Sequence, residues 1–171
     1  MVRTRKGVTL MELMVVLAIV SALFMVAAPM LLQSNRQFIL VRSRLQLQQE
    51  ARGVMYVITR SVRQAKNDSI VISRYNAYQP FYSKISFVRQ SAVSGVPSTV
   101  VFQQEGTNLC QYIGGTSRRV ISSNLNYLAF TFPRSDDTGI LSVSITFQKN
   151  IYEGKVKALH MASEKVRIMN E

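Results

Sequence analysis

Hydrophobic and polar positions divide this chain into three stretches with three rhythms. From Leu13 to Leu32 the residues are apolar except for Ser21 and Pro29. Such a run at 1.5 Å per residue makes roughly 30 Å of helix, about the hydrocarbon thickness of a bilayer. Beyond Pro29 the pattern becomes amphipathic. Leu40, Leu47, Ala51, Val54, Ile58, Val62 and Ala65 fall, at 100° per residue, in a stripe roughly 80° wide, which predicts one helix face packed on a core. The spacing predicts that the helix runs on to about Lys66. Pro29 removes a backbone hydrogen bond and crowds the turn before it, so a kink or local melting is expected there. Gly53 costs up to ~1 kcal/mol against alanine unless close packing requires it. Asn67-Asp68-Ser69 is a helix stop; it also reads as a glycosylation acceptor pattern, which the stop makes unnecessary.

From there the period falls to two. Ile85 and Phe87 flank Ser86. Thr99–Phe102, Leu109–Ile113 and Leu128–Phe132 read as strands, punctuated by Gly106 and Gly114-Gly115. The cleanest alternation sets Leu141, Val143, Ile145 and Phe147 against Ser142, Ser144, Thr146 and Gln148. One buried face and one wet face predict antiparallel pairing. Asp136–Gly139 and Asn150–Gly154 are expected turns, residues 75–84 and 90–98 loops, and Lys155–Met169 a last strand. The fold class is therefore α+β: a long N-terminal helix laid across an antiparallel β-sheet. The expected divisions are a leader at 1–7, a membrane helix at 8–32, its amphipathic continuation at 33–66, and a sheet domain at 67–171.

Glu12 does not belong in a plain membrane anchor. A carboxylate near a bilayer centre costs about 2.5–3.5 kcal/mol on insertion scales, so an ionisable residue there is a functional candidate by default. Ahead of it stand Arg3, Arg5 and Lys6, then Gly7. They carry three of the +12 formal charges of the 171-residue chain. The remaining excess fits anionic headgroups, an acidic protein or nucleic acid. Cys110 is the single cysteine, so no intramolecular disulfide staples the fold. A secretory signal would have to be cut after Ala27-Ala28, directly before Pro29, and the apolar run is too long for one.

The stretch Gly7-Val8-Thr9-Leu10-Met11-Glu12 with its basic leader and apolar run resembles the N-terminus of the type IV pilin and type II secretion pseudopilin family. Gly7 matches the leader's last residue, Val8 the first mature residue (where Phe is usual), and Thr9, Leu10 and Glu12 the rest. Pro29 stands where many pilins carry a helix-interrupting proline. The resemblance implies cleavage between Gly7 and Val8 by a prepilin peptidase and N-methylation of Val8. It also implies a single-pass anchor in the cytoplasmic (inner) membrane, the C-terminal domain outside the cytoplasm, and assembly with other pilin or pseudopilin subunits through Glu12. Arg60-Ser61-Val62-Arg63-Gln64-Ala65 and Val166-Arg167-Ile168-Met169-Asn170 resemble segments of the J-type pseudopilin and the W-type minor pilin. The implied function is a minor structural subunit of a secretion pseudopilus or type IV pilus, at its tip or initiation complex. The alternative is an anchored binding module that presents its sheet domain to DNA, a surface or a secreted substrate.

Catalytic chemistry does not assemble. His160 is the only histidine, and nothing in its spacing from Cys110 makes a nucleophile–base pair. No Cys/His cluster has metal spacing, and no glycine-rich phosphate loop is present, so neither a cofactor nor a small-molecule substrate is expected. Asp136 and Asp137 offer calcium-type oxygens, but adjacent acids before a glycine are ordinary turn chemistry. The arginines of residues 36–66 are scattered without stacking aromatics, a pattern that does not favour direct nucleic-acid binding.

Overall fold

The computed structural model describes residues 7–90, 96–152 and 156–169. Arg3, Arg5 and Lys6 of the leader lie outside them. The chain divides into two compact units, Met1–Val41 and Arg42–Glu171. One helix, α1 (Leu10–Arg63), runs through the boundary.

In the first unit α1 has no cover. Every residue from Gly7 to Phe38 is exposed, including Leu13, Val16, Phe24 and Leu31. An 18-residue window reaches a mean hydropathy of 2.7, and the helix is long and apolar enough to cross a membrane. The hydroxyl of Ser21 donates to the carbonyl of Leu17, so the one hydroxyl of the apolar run is satisfied within the helix, as a lipid setting demands. The helix runs through Pro29 without interruption.

In the second unit the predicted stripe is the core face. Leu47, Ala51, Val54, Ile58, Val62 and Ala65 are all buried, whereas Leu40, the first member of the predicted stripe, belongs to the first unit and is only half-buried. Helical pairing ends at Arg63 rather than near Lys66. The amides of Gln64 and Ala65 reach back three residues, to Ser61 and Val62, and the Lys66 amide turns away to the Val88 carbonyl at 2.9 Å. A 3-10 turn at Asn67–Ser69 follows. Ser69 Oγ donates to the Lys66 carbonyl at 2.7 Å and accepts the Val88 amide at 2.9 Å. The acceptor-like tripeptide thus has a structural role in joining helix to sheet.

Among the described residues, eight antiparallel strands form two sheets rather than the single one expected. The first holds β1 (Val71–Ser73), β2 (Lys84–Gln90), β3 (Pro97–Glu105), β4 (Asn108–Ile113) and β5 (Ser117–Ser122) in chain order. The second holds β6 (Leu125–Thr131), β7 (Ile140–Tyr152) and β8 (Val156–Arg167). The switch lies at Ser123-Asn124, and a helix residue fixes it. Glu50 accepts Ser122 Oγ at 2.6 Å and Asn124 Nδ2 at 2.9 Å. Alternation told which residues face inward but not which strands pair, so the split was invisible to it.

The predicted alternation of β7 is borne out: Leu141, Val143, Ile145 and Phe147 are fully buried. They join Ile85, Phe87, Phe102, Leu128 and Phe130 in one core with the helix stripe. β7 continues to Tyr152, past the turn expected from Asn150, and residues 153–155 lie outside the described ones. Gly114 and Gly115 both take positive φ, 63° and 81°, to turn β4 into β5, a backbone that only glycine adopts freely.

Candidate functional site

The chemistry-bearing end of the molecule is the start of α1. Val8 and Thr9 precede the helix in irregular backbone, and Leu10 is its first residue. Thr9 is the N-cap. Its Oγ1 accepts the Glu12 amide at 3.3 Å, and its carbonyl accepts the Leu13 amide at 3.2 Å. Thr9-x-x-Glu12 is the spacing of a capping box, in which the cap hydroxyl satisfies one of the orphan donors of the first turn. That spacing is legible in the sequence. Glu12 also lies in the first turn, where the helix dipole favours a carboxylate. Among the described residues its carboxylate has no hydrogen-bond or ion-pair partner, so it is open to one supplied from outside the chain.

Gly7 and Val8 are both exposed, and a Cβ added at Gly7 would meet nothing within 4 Å. Pro29 lies well inside α1. Within one protomer, therefore, the geometry places the Gly7-Val8 bond beside a capped helix start, with Glu12 one turn along.

Residues 2–28 match the prokaryotic N-terminal methylation motif. That motif marks type IV pilins and type II pseudopilins, which are structural subunits and not enzymes. It implies processing by a prepilin peptidase and assembly with other pilins. It also implies anchorage in the inner membrane through the N-terminal helix before filament assembly. No curated protein and no solved structure matches the chain.

Outside the methylation motif, the other candidate residues take structural places. Cys110 is buried on β4 beside Glu105 and Arg118, at 3.4 and 3.3 Å. His160 is on β8 of the other sheet, so the two do not meet as a nucleophile–base pair. The Cys110 neighbourhood is a polar cluster that sequence reading missed, because its members are spread over three strands. Glu105 accepts Gln103 Nε2 and Tyr112 Oη, each at 2.6 Å, and Arg118 Nη2 at 2.8 Å. Burial pushes the Glu105 carboxyl up, but the hydrogen bonds from Tyr112, Gln103, Arg118 and Cys110 outweigh it and hold the pKa at about 2. Burial, then the neighbouring carboxylate, pushes the Cys110 thiol up, away from the thiolate a nucleophile needs.

Asp136 pairs with Arg134 at 3.0 Å. Asp137 Oδ1 accepts the Gly139 amide at 2.8 Å, the turn chemistry expected of adjacent acids before a glycine. Among the described residues no group of three or more His, Cys, Asp or Glu could hold a metal ion.

Proposed function

We propose that this chain is a minor pilin or pseudopilin, a structural subunit cleaved between Gly7 and Val8, N-methylated on Val8 and built into a pseudopilus or pilus. The observation that carries this reading is an apolar helix exposed on every side, with the methylation motif at its start. Only lipid or the helices of other subunits can cover such a surface. In the filament, Glu12 of one subunit meets the Val8 ammonium of a neighbour. An unpaired carboxylate in a low-dielectric setting is penalised by several kcal/mol, and the ammonium offsets much of that. The pairing thereby selects one axial offset between subunits. Pro29, lacking a donor, gives α1 a place to bend when subunits pack. The likeness of Arg60–Ala65 and Val166–Asn170 to J-type pseudopilins and W-type minor pilins supports a place at the tip or in the initiation complex. The sheet domain would then lie outside the cytoplasm.

Mass spectrometry of the mature N-terminus tests the processing step. Val8 with one added methyl group is the expected terminus. An uncut Met1, or a terminus at Pro29, would overturn the assignment.

A further inference from the structure

The second unit carries an open groove of about 950 Å³ between the flank of α1 and strand β8, with Met55, Thr59, His160 and Ala162 among its lining. We propose that this groove receives an extended acidic segment of a partner protein, added as a fourth strand to the free edge of β8. The filament reading does not enter into it, since none of these residues belongs to the methylation motif.

The first support is the edge. Among the described residues, in the order β6-β7-β8, the last strand has a neighbour on one side only. Its 12 residues present a row of unpaired backbone donors and acceptors, the template on which strand addition works.

The second is a bare stretch on the inward face. Register sets His160 opposite Phe147, Ala162 opposite Ile145 and Glu164 opposite Val143. Cross-strand partners share a face. Yet the β7 members are fully buried while His160 and Ala162 are half-buried and Glu164 is exposed. Ala158 and Val166, at either end, are buried again. The inward face of β8 therefore loses its cover over three successive positions. Its outward face is bare in the same stretch, with Leu159 56% and Met161 73% exposed.

The third is charge. Arg52, Arg60 and Arg63 line the helix side of the groove, and among the described residues Glu164 is the only acid that lines it. At 100° per residue these arginines fall within roughly 80° of one another, on the side of the helix turned away from the core stripe. Among the described residues none of them has an ion-pair partner. A strand laid along β8 would turn alternate side chains toward these arginines and the others outward, next to Leu159 and Met161. The fitting segment alternates acidic and apolar residues.

The test uses the full chain in detergent micelles and a fluorescein-labelled peptide of about ten residues alternating Glu and Val. Fluorescence anisotropy should show saturable binding that weakens with added salt. Hydrogen exchange should show new protection at alternate amides of residues 159–165. Exchanging Glu for Lys in the peptide, or N-methylating its alternate amides on the pairing edge, should weaken binding by at least about tenfold, as close charge pairs and strand pairing require. So should R52E/R60E/R63E in the protein, with R60E alone as a milder variant and circular dichroism checking the fold. Absence of saturable binding would overturn the proposal. Equal binding of the Lys-Val or N-methylated peptide, or of an acidic helical peptide, would do so too. So would a single-stranded DNA oligonucleotide that displaces the peptide with higher affinity.

Discussion

Glu12 holds two positions at once, and they separate by substitution. It is the third residue of a capped helix, and among the described residues its carboxylate has no partner. Glu12→Gln keeps a polar side chain in the first turn while removing the charge. Glu12→Gln is expected to insert and be cleaved normally but to lose co-purification with partner pilins. Wild-type assembly by that variant would remove the charge pairing from the mechanism. Thr9→Val makes the opposite cut, releasing the cap at about 1 kcal/mol and leaving the charge in place. Gly53 is a plainer case. A Cβ there would meet nothing within 4 Å, so close packing within the protomer does not require the glycine. Gly53→Ala should raise the thermal midpoint of the domain by the equivalent of up to ~1 kcal/mol. Glu105 contributes to acid behaviour. Its folded pKa of about 2 lies below the ordinary 4.5, so its stabilising contribution is complete above pH 4.5 and drains away as pH falls through 2. Glu105→Gln should be less stable than wild type at neutral pH, and chemical denaturation repeated down the acid range should show the gap closing.

Among the elements, α1 was the most legible and the sheet edges the least. The stripe through Leu47, Ala51, Val54, Ile58 and Val62 could be read directly because burial on one side imposes a helical period. Ile58→Asp would bury an unpaired carboxylate and is expected to unfold the domain. Arg60→Asp, on the exposed flank, should shift stability by no more than about 0.5 kcal/mol. Near-ultraviolet circular dichroism of the two variants gives the comparison. β5 escaped notice because Ser117–Val120 is exposed throughout; a strand without a buried face leaves no period-two signal. β1, with three residues, is too short to show one. The Glu105 cluster and the groove depend on which strands become neighbours, and pairing is a long-range choice that local periodicity does not encode. At the start of α1 the reverse holds. Gly7, Val8, Thr9 and Glu12 lie within six consecutive residues, so almost all of that site could be read from spacing alone.

On the scale of the whole molecule, the two units ask for different surroundings. A chain shortened to begin at Gln33 should be soluble without detergent and keep a mixed α/β circular dichroism spectrum, whereas the full chain should stay in the membrane fraction after alkaline washing. Within the second unit, the attachment of α1 to the sheets has a mechanical consequence. A pull on α1 along its axis reaches Leu47, Ala51, Val54, Ile58 and Val62 together with the Glu50 clasp on Ser122 and Asn124, and loads them in parallel. A pull across the axis would strip them one at a time. The domain is thus strong in shear along the rod and weak to peeling from it. In single-molecule stretching, Glu50→Ala should lower the axial rupture force well below that of wild type and leave the peeling force nearly unchanged.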